Sequence, residues 1–219
     1  MTAAGAVAGG AAGWVAAGEQ WRLYREPEQR ASRAAGRPLL IRRGLLAAAG
    51  VLAIGLAFRP DHYAFGPALL TAIFCLVLLV LSSTDFERKI IPNRLTYPAI
   101  VAAIAFCWAW PDRSAADIAL GGAGALVAGV ALVIAGMLVG NLLGIPAIPF
   151  GIGDAKLILL LGLLCGWPAF WYALVYGIIA AGVVSVGLIL RGGAKSVFAY
   201  GPYLALGGLV VLLWPDRFV

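Results

Sequence analysis

Apolar stretches follow one another so closely along this chain that helices threaded through a membrane are the only architecture that fits. Eight can be read, over about 2–18, 44–58, 66–83, 95–110, 117–142, 155–166, 169–190 and 202–215. A spanning helix needs about 20 residues. Several of these stretches fall short, 155–166 most of all, where Gly166-Trp167-Pro168 punctuates the join to the next. Composition agrees. Hydrophobic residues make up 63% and charged residues 12%, against roughly 45–50% and about 25% in soluble domains. A mean hydropathy of +0.96 excludes a soluble globular protein and a disordered chain. The 29 glycines show no Gly-X-Y period, so collagen is excluded too. The expected fold class is all-α: a polytopic membrane protein of about eight transmembrane helices, amino terminus outside, in one domain over 1–219.

The charges set that orientation. With eight spans and the amino terminus outside, the inner loops hold Arg22, Arg25, Arg30, Arg33, Arg37, Arg42, Arg43, Arg88, Lys89, Arg94, Lys156, Arg191 and Lys195. Only Arg59, Arg113 and Arg217 remain outside. This is a strong positive-inside bias, and removing one span would scramble it. The net charge of +6 therefore reads as a topology signal and not as a nucleic-acid footprint. Segment 2–18 lacks a basic stretch before it and is expected to be an uncleaved span. Loop 19–43 reads as a basic cytoplasmic strip facing anionic lipid. Gly136, Gly140 and Gly144 share one face of the fifth span and read as a packing stripe.

Chemistry has few places to reside. Cys75, Cys107 and Cys165 each sit in an apolar run without a Cys-x-x-Cys pair, and His62 is the only histidine. No metal site is expected. Of the ten acidic residues, Asp61, Asp112, Asp117 and Asp216 belong to outer loops or ends, and Glu19, Glu26 and Glu28 share the Arg-rich loop. Asp85, Glu87 and Asp154 remain. Asp85 closes the third span, where a carboxylate opposes the helix dipole. Asn93, downstream in Ile-Pro-Asn-Arg-Leu-Thr, is a candidate cap for the fourth span. Asp154 follows Gly151 and Gly153 and precedes an apolar helix, so it reads either as an N-cap or as a reactive carboxylate whose glycines clear space for a substrate backbone. Alternation places both aspartates on the inner face, where ionisable groups are costly and often functional. Two carboxylates confined together cannot both ionise easily, so one keeps a proton. That pair can hydrolyse a peptide without a metal. Glu87 is read as a solvated residue pairing with Arg88 or Lys89, or as a contact for a basic substrate.

These residues resemble the prepilin peptidase family, the type IV leader peptidases, membrane aspartic proteases of the Gly-x-Gly-Asp kind. Asp85 through Asn93 and Thr96 is similar to that family's first-aspartate loop. Gly151-Ile-Gly-Asp-Ala-Lys-Leu157 is similar to its second motif, and Tyr200-Gly201-Pro202 to its carboxyl-terminal Phe/Tyr-Gly-Pro stretch. The resemblance covers about 66–215. It implies that Asp85 and Asp154 are catalytic and that Gly151 and Gly153 shape the site. It also implies that Lys156 sits beside them as an orienting group or interface anchor, and that Gly201 and Pro202 line or support the cavity. The implied activity is cleavage of the basic leader from prepilin or pseudopilin precursors at the cytoplasmic face of the bacterial inner membrane. Many members also carry a cytoplasmic domain with two zinc-binding Cys-x-x-Cys pairs and methylate the new amino terminus. Loop 19–43 contains no cysteine, so a short form is expected, with no zinc, no cofactor and no methyl transfer. Two other functions remain open at this level. A proton-coupled carrier would place its carboxylates nearer the midplane, and a non-catalytic pilus or secretion assembly factor would have no need of them.

Overall fold

The computed structural model describes residues 2–24, 37–59, 63–143, 150–190 and 199–218. Every regular element among them is helical. The α-helices are α1 (Thr2–Glu19), α2 (Arg37–Ala57), α3 (Phe65–Arg88), α4 (Asn93–Ala105), α5 (Ala115–Leu143), α6 (Ile152–Cys165), α7 (Ala169–Leu190) and α8 (Gly201–Leu213). Short 3-10 turns follow α1 (Gln20–Leu23), α4 (Cys107–Ala109) and α8 (Pro215–Arg217).

The chain is a multi-pass membrane protein. Four helices are long and apolar enough to cross a bilayer: α2, α3, α5 and α7. Three are much shorter. At 1.5 Å per residue, α4, α6 and α8 extend only about 20 Å, less than the roughly 30 Å hydrocarbon core. The brevity of 155–166 thus has a structural answer. Helix α6 is enclosed by its neighbours, and Leu157, Ile158 and the run Leu160–Cys165 are all buried. An enclosed helix is not required to match the lipid.

Several boundaries differ from the hydropathy pattern. Helix α3 continues past 83 to Arg88, so Asp85 lies in its last turn. It stops at Lys89, whose φ of 55° is left-handed and whose N–H donates to the Asp85 carbonyl at 2.7 Å. Helix α2 begins at Arg37, so much of the basic strip 19–43 is helical at its ends. Residues 25–36 of that strip, together with Asp61, His62, Gly144, Arg191 and Lys195, lie outside the described residues.

Packing runs through glycines, because apolar side chains gain little from leaving lipid and helices associate instead by close backbone approach. A Cβ built on Gly9 would fall 2.4 Å from the Gly50 carbonyl oxygen, and one on Gly13 would fall 2.3 Å from that of Leu46. These contacts pair α1 with α2 antiparallel. Gly121 against Gly162 does the same for α5 and α6, and Gly207 against Ala173 for α7 and α8. The stripe expected at Gly136 contributes more modestly, with Phe150 at 3.3 Å. Each antiparallel contact fixes which helix ends share a face. The carboxyl ends of α1, α3 and α5 therefore gather with the amino ends of α2, α4, α6 and α8. Asp85 and Asp154 stand at that end, with Arg22, Arg42, Arg43, Arg88, Lys89, Arg94 and Lys156. Arg59, Arg113 and Arg217 stand at the other.

That far end is anchored by Arg113. Its guanidinium donates to the Leu164 carbonyl, closing the last turn of α6. It also donates to Asp112 and to Tyr63 Oη, each at 2.9 Å, and lies over the Trp110 ring.

Gly162→Ala should destabilise the protein by about 1–3 kcal/mol, because its Cβ would fall 2.3 Å from that of Ala125. Gly182→Ala, with nothing within 4 Å, should cost nothing measurable. Thermal unfolding of both variants in detergent provides the comparison.

Candidate active site

Asp85 is 5% exposed, and its surroundings resolve the difficulty of an acid at a helix carboxyl end. Its Oδ2 accepts the Gly201 backbone N–H at 2.9 Å. Gly201 is the first residue of α8, whose amino-terminal N–H groups have no partner inside the helix and favour a negative charge. The α3 end that would repel the carboxylate is thus offset by the α8 end that attracts it. Gly201 must be glycine for this contact, since a Cβ would fall 2.6 Å from Asp85 Oδ2. Pro202 follows in the first turn of α8, where its missing N–H is not needed. It lines a groove of 740 Å³ between α2 and α3, beside Phe86.

Asp154 is not the cap residue itself. Gly151 occupies that position, and Asp154, three residues on, reaches back so that its Oδ2 accepts the Gly151 N–H at 2.9 Å. This is the return half of a capping box. The two glycines differ in what they require. A Cβ on Gly151 would meet Asp154 Oδ2 at an ordinary 3.6 Å, whereas one on Gly153 would press on Ile91 at 3.3 Å. Gly153 therefore admits the segment that leaves Asp85, and the two aspartate motifs interlock there.

Asp154 and Lys89 are the charged groups that bear on Asp85. Lys156 does not join them. Its Nζ donates to Asn93 Oδ1 at 2.9 Å and stands over the Tyr97 ring, tying the first turn of α6 to α4. Asn93 accordingly is the first residue of α4, and Pro92 takes the cap position.

Tyr200 is a neighbour that the sequence did not single out by itself. Its ring packs on Phe150 at 4.8 Å between centroids. Burial, and then the Asp154 charge, raise its hydroxyl above the usual phenol range. Its position immediately before Gly201 was the available signal.

Glu87 is neither solvated nor paired only locally. Its Oε2 accepts from Gln20, from Tyr24 Oη at 3.0 Å and from Arg42 Nη1 at 2.6 Å. Arg88 is its more distant partner, at 3.9 Å. The three cysteines are free thiols on separate elements, and among the described residues no cluster of three His, Cys, Asp or Glu could hold a metal.

With that geometry in view, the profile of the type IV leader peptidase family matches residues 72–186. The chain belongs to this family. It is 29% identical over 174 residues to the prepilin leader peptidase/N-methyltransferase of Aeromonas hydrophila, covering 78% of this chain and 57% of that one. Likenamed proteins of Aeromonas salmonicida (30% over 142 residues; 64% and 47%) and Burkholderia pseudomallei (30% over 174 residues; 78% and 52%) are similar. The chain spans about half the length of these relatives. No solved structure matches it.

Gly201→Ala should cost about 1–3 kcal/mol of stability in the wild-type background. It should cost much less alongside Asp85→Ala, which vacates the space the methyl needs. A double-mutant cycle on thermal midpoints should therefore show coupling of about 1 kcal/mol or more. Additive effects would mean that Asp85 does not rest on α8.

Proposed function

We propose that this protein is a membrane aspartic endopeptidase that removes the leader from prepilin-like precursors, with Asp85 and Asp154 as its catalytic pair. One observation carries the proposal: two carboxylates from different helices stand at one end of the bundle, each held through one oxygen by a backbone N–H at a helix amino terminus. Family membership supports the same chemistry. A carrier would need its acids at the midplane, and a purely structural subunit gives no reason to seat two carboxylates on backbone N–H groups at one end of the bundle, so neither alternative is favoured.

The reaction needs one carboxylate ionised and one protonated. The ionised group takes a proton from water as the water oxygen bonds to the scissile carbonyl carbon. The protonated group gives its proton to the carbonyl oxygen. Collapse of the tetrahedral intermediate breaks the C–N bond: the departing nitrogen takes a proton from the carboxyl that received one from water, and the other carboxylate takes back a proton from one of the two hydroxyls, which leaves a carboxylic acid product and restores the starting pair. Backbone N–H bonds to both carboxylates fix their orientation, so little reorganisation accompanies charge movement. Gly153 leaves room beside Asp154. Lys156 holds the helix and not the substrate. Gly201 and Pro202 set the depth of Asp85.

The basic end of the bundle is the cytoplasmic face under the positive-inside rule, which places the amino terminus of α1 outside and the site facing the bacterial cytoplasm, in the inner membrane. The substrate is a prepilin or pseudopilin precursor with a basic leader and an apolar segment in the same bilayer. The 219 residues form one functional unit with its core over 66–215. Nucleic acid has no part in it. The lack of a Cys-x-x-Cys pair in these residues supports cleavage at a site that holds no zinc.

Co-expression with a tagged precursor tests this directly. Wild type should remove the leader, and the product mass should show no added methyl group. Asp85→Asn and Asp154→Asn should each lower cleavage by roughly 10³-fold or more while leaving membrane insertion intact. Normal cleavage by either variant would refute the pair.

A further inference from the structure

Resting on the peptidase reading, we infer that Glu87 is a positioning residue for Asp85, and that the first two helices act through it as part of the active unit. Glu87 lies two residues beyond Asp85 in the same final turn of α3. One of its oxygens gathers three donors from elsewhere in the chain: Gln20, Tyr24 and Arg42. The donors are themselves fixed. Gln20 and Tyr24 are each 2% exposed. Gln20 Oε1 accepts from Ser83 at 2.9 Å, one turn earlier on α3, so Gln20 spans two turns of that helix. Arg42 Nη2 donates to the Ala17 carbonyl at the end of α1, at 2.6 Å. Burial, and then the Glu87 charge, raise the Tyr24 hydroxyl to about 12, so it remains a donor at every working pH. Arg88 lies over the Tyr24 ring.

The location of this clasp gives it more than a packing role. The α1–α2 hairpin meets α3 mainly through α2, where a Cβ on Gly50 would lie 3.5 Å from Leu76. Clefts of 340 and 430 Å³ open between α1 and α3, and the 740 Å³ groove opens between α2 and α3. The apolar contact with α3 runs from the far end to its middle, through Ala53, Ile54, Ala57, Ala72 and Cys75 with Leu76 and Leu79 packed beside them. The hairpin's polar attachment falls on the turn that carries Asp85. Beyond that turn the chain reverses at Lys89 and packs Ile91 on Gly153. A rotation of the last turn of α3 would displace Asp85 from Gly201 and from Asp154 together. The donors Gln20, Tyr24 and Arg42 lie outside the matched stretch 72–186.

The test compares Glu87→Ala and Glu87→Gln with wild type, using purified, inserted protein and a pilin precursor. Glu87→Ala should lower kcat roughly 10- to 100-fold, the loss expected from a misplaced reacting group. KM should change by less than about threefold, and the limbs of the pH–rate profile should be displaced. Glu87→Gln, which keeps an acceptor for Tyr24 and Arg42 without the charge, should restore most of the rate. The infrared carbonyl band of Asp85, assigned by its loss in Asp85→Asn, should titrate differently in Glu87→Ala and as in wild type in Glu87→Gln. Wild-type kcat in Glu87→Ala, or a loss that Glu87→Gln does not recover, would overturn the inference. If wild type cuts no precursor, the peptidase reading fails, and the infrared titration alone decides whether Glu87 positions Asp85.

Discussion

The contact between Asp85 and the amino terminus of α8 organises the rest of the molecule. A buried carboxylate at the carboxyl end of a helix is opposed by that helix and by its apolar surroundings. The unpaired N–H at the start of α8 supplies what α3 cannot. This forces α8 to begin where α3 ends, and Gly201 to lack a side chain. It also makes the two helices antiparallel, with Leu78 against Gly208 further along. Asp154 meets the same requirement more locally, through the return bond to Gly151. Both solutions use backbone donors, which cannot titrate away when a proton moves between the carboxylates.

Short helices provide the second constraint. Helices α4, α6 and α8 cannot each span a bilayer alone, yet α6 and α8 are largely enclosed by longer neighbours. The far end of α6 is closed by Arg113, whose hydrogen bonds to Leu164, Asp112 and Tyr63 keep that helix from sliding. The central helix is thus tied at one end by the Lys156–Asn93 hydrogen bond and at the other by Arg113.

Much of this was legible in the chain. Hydropathy gave the helices, and charge alternation set Asp85 and Asp154 on one face. What escaped was carried by partners distant in sequence. Glu87 reads as a neighbour of Arg88 and Lys89, but its strong contacts come from residues 45 to 67 positions away. Lys156 follows Asp154 closely, yet helical geometry turns it toward Asn93. Gly201 acts through a backbone N–H 116 positions from its acceptor, which no side-chain pattern records. The steric difference between Gly151 and Gly153 likewise depends on where Ile91 lies, so the motif presents as equal two glycines that the fold uses differently.

The pH–rate profile of leader removal tests the central claim most directly, because a shared site makes both carboxylates necessary in opposite protonation states. The account predicts a bell-shaped dependence of kcat/KM, with one limb for the group that must be ionised and one for the group that must be protonated. A profile with a single limb would contradict it, since one carboxyl would then suffice and the meeting of Asp85 with Asp154 would have no part in the chemistry.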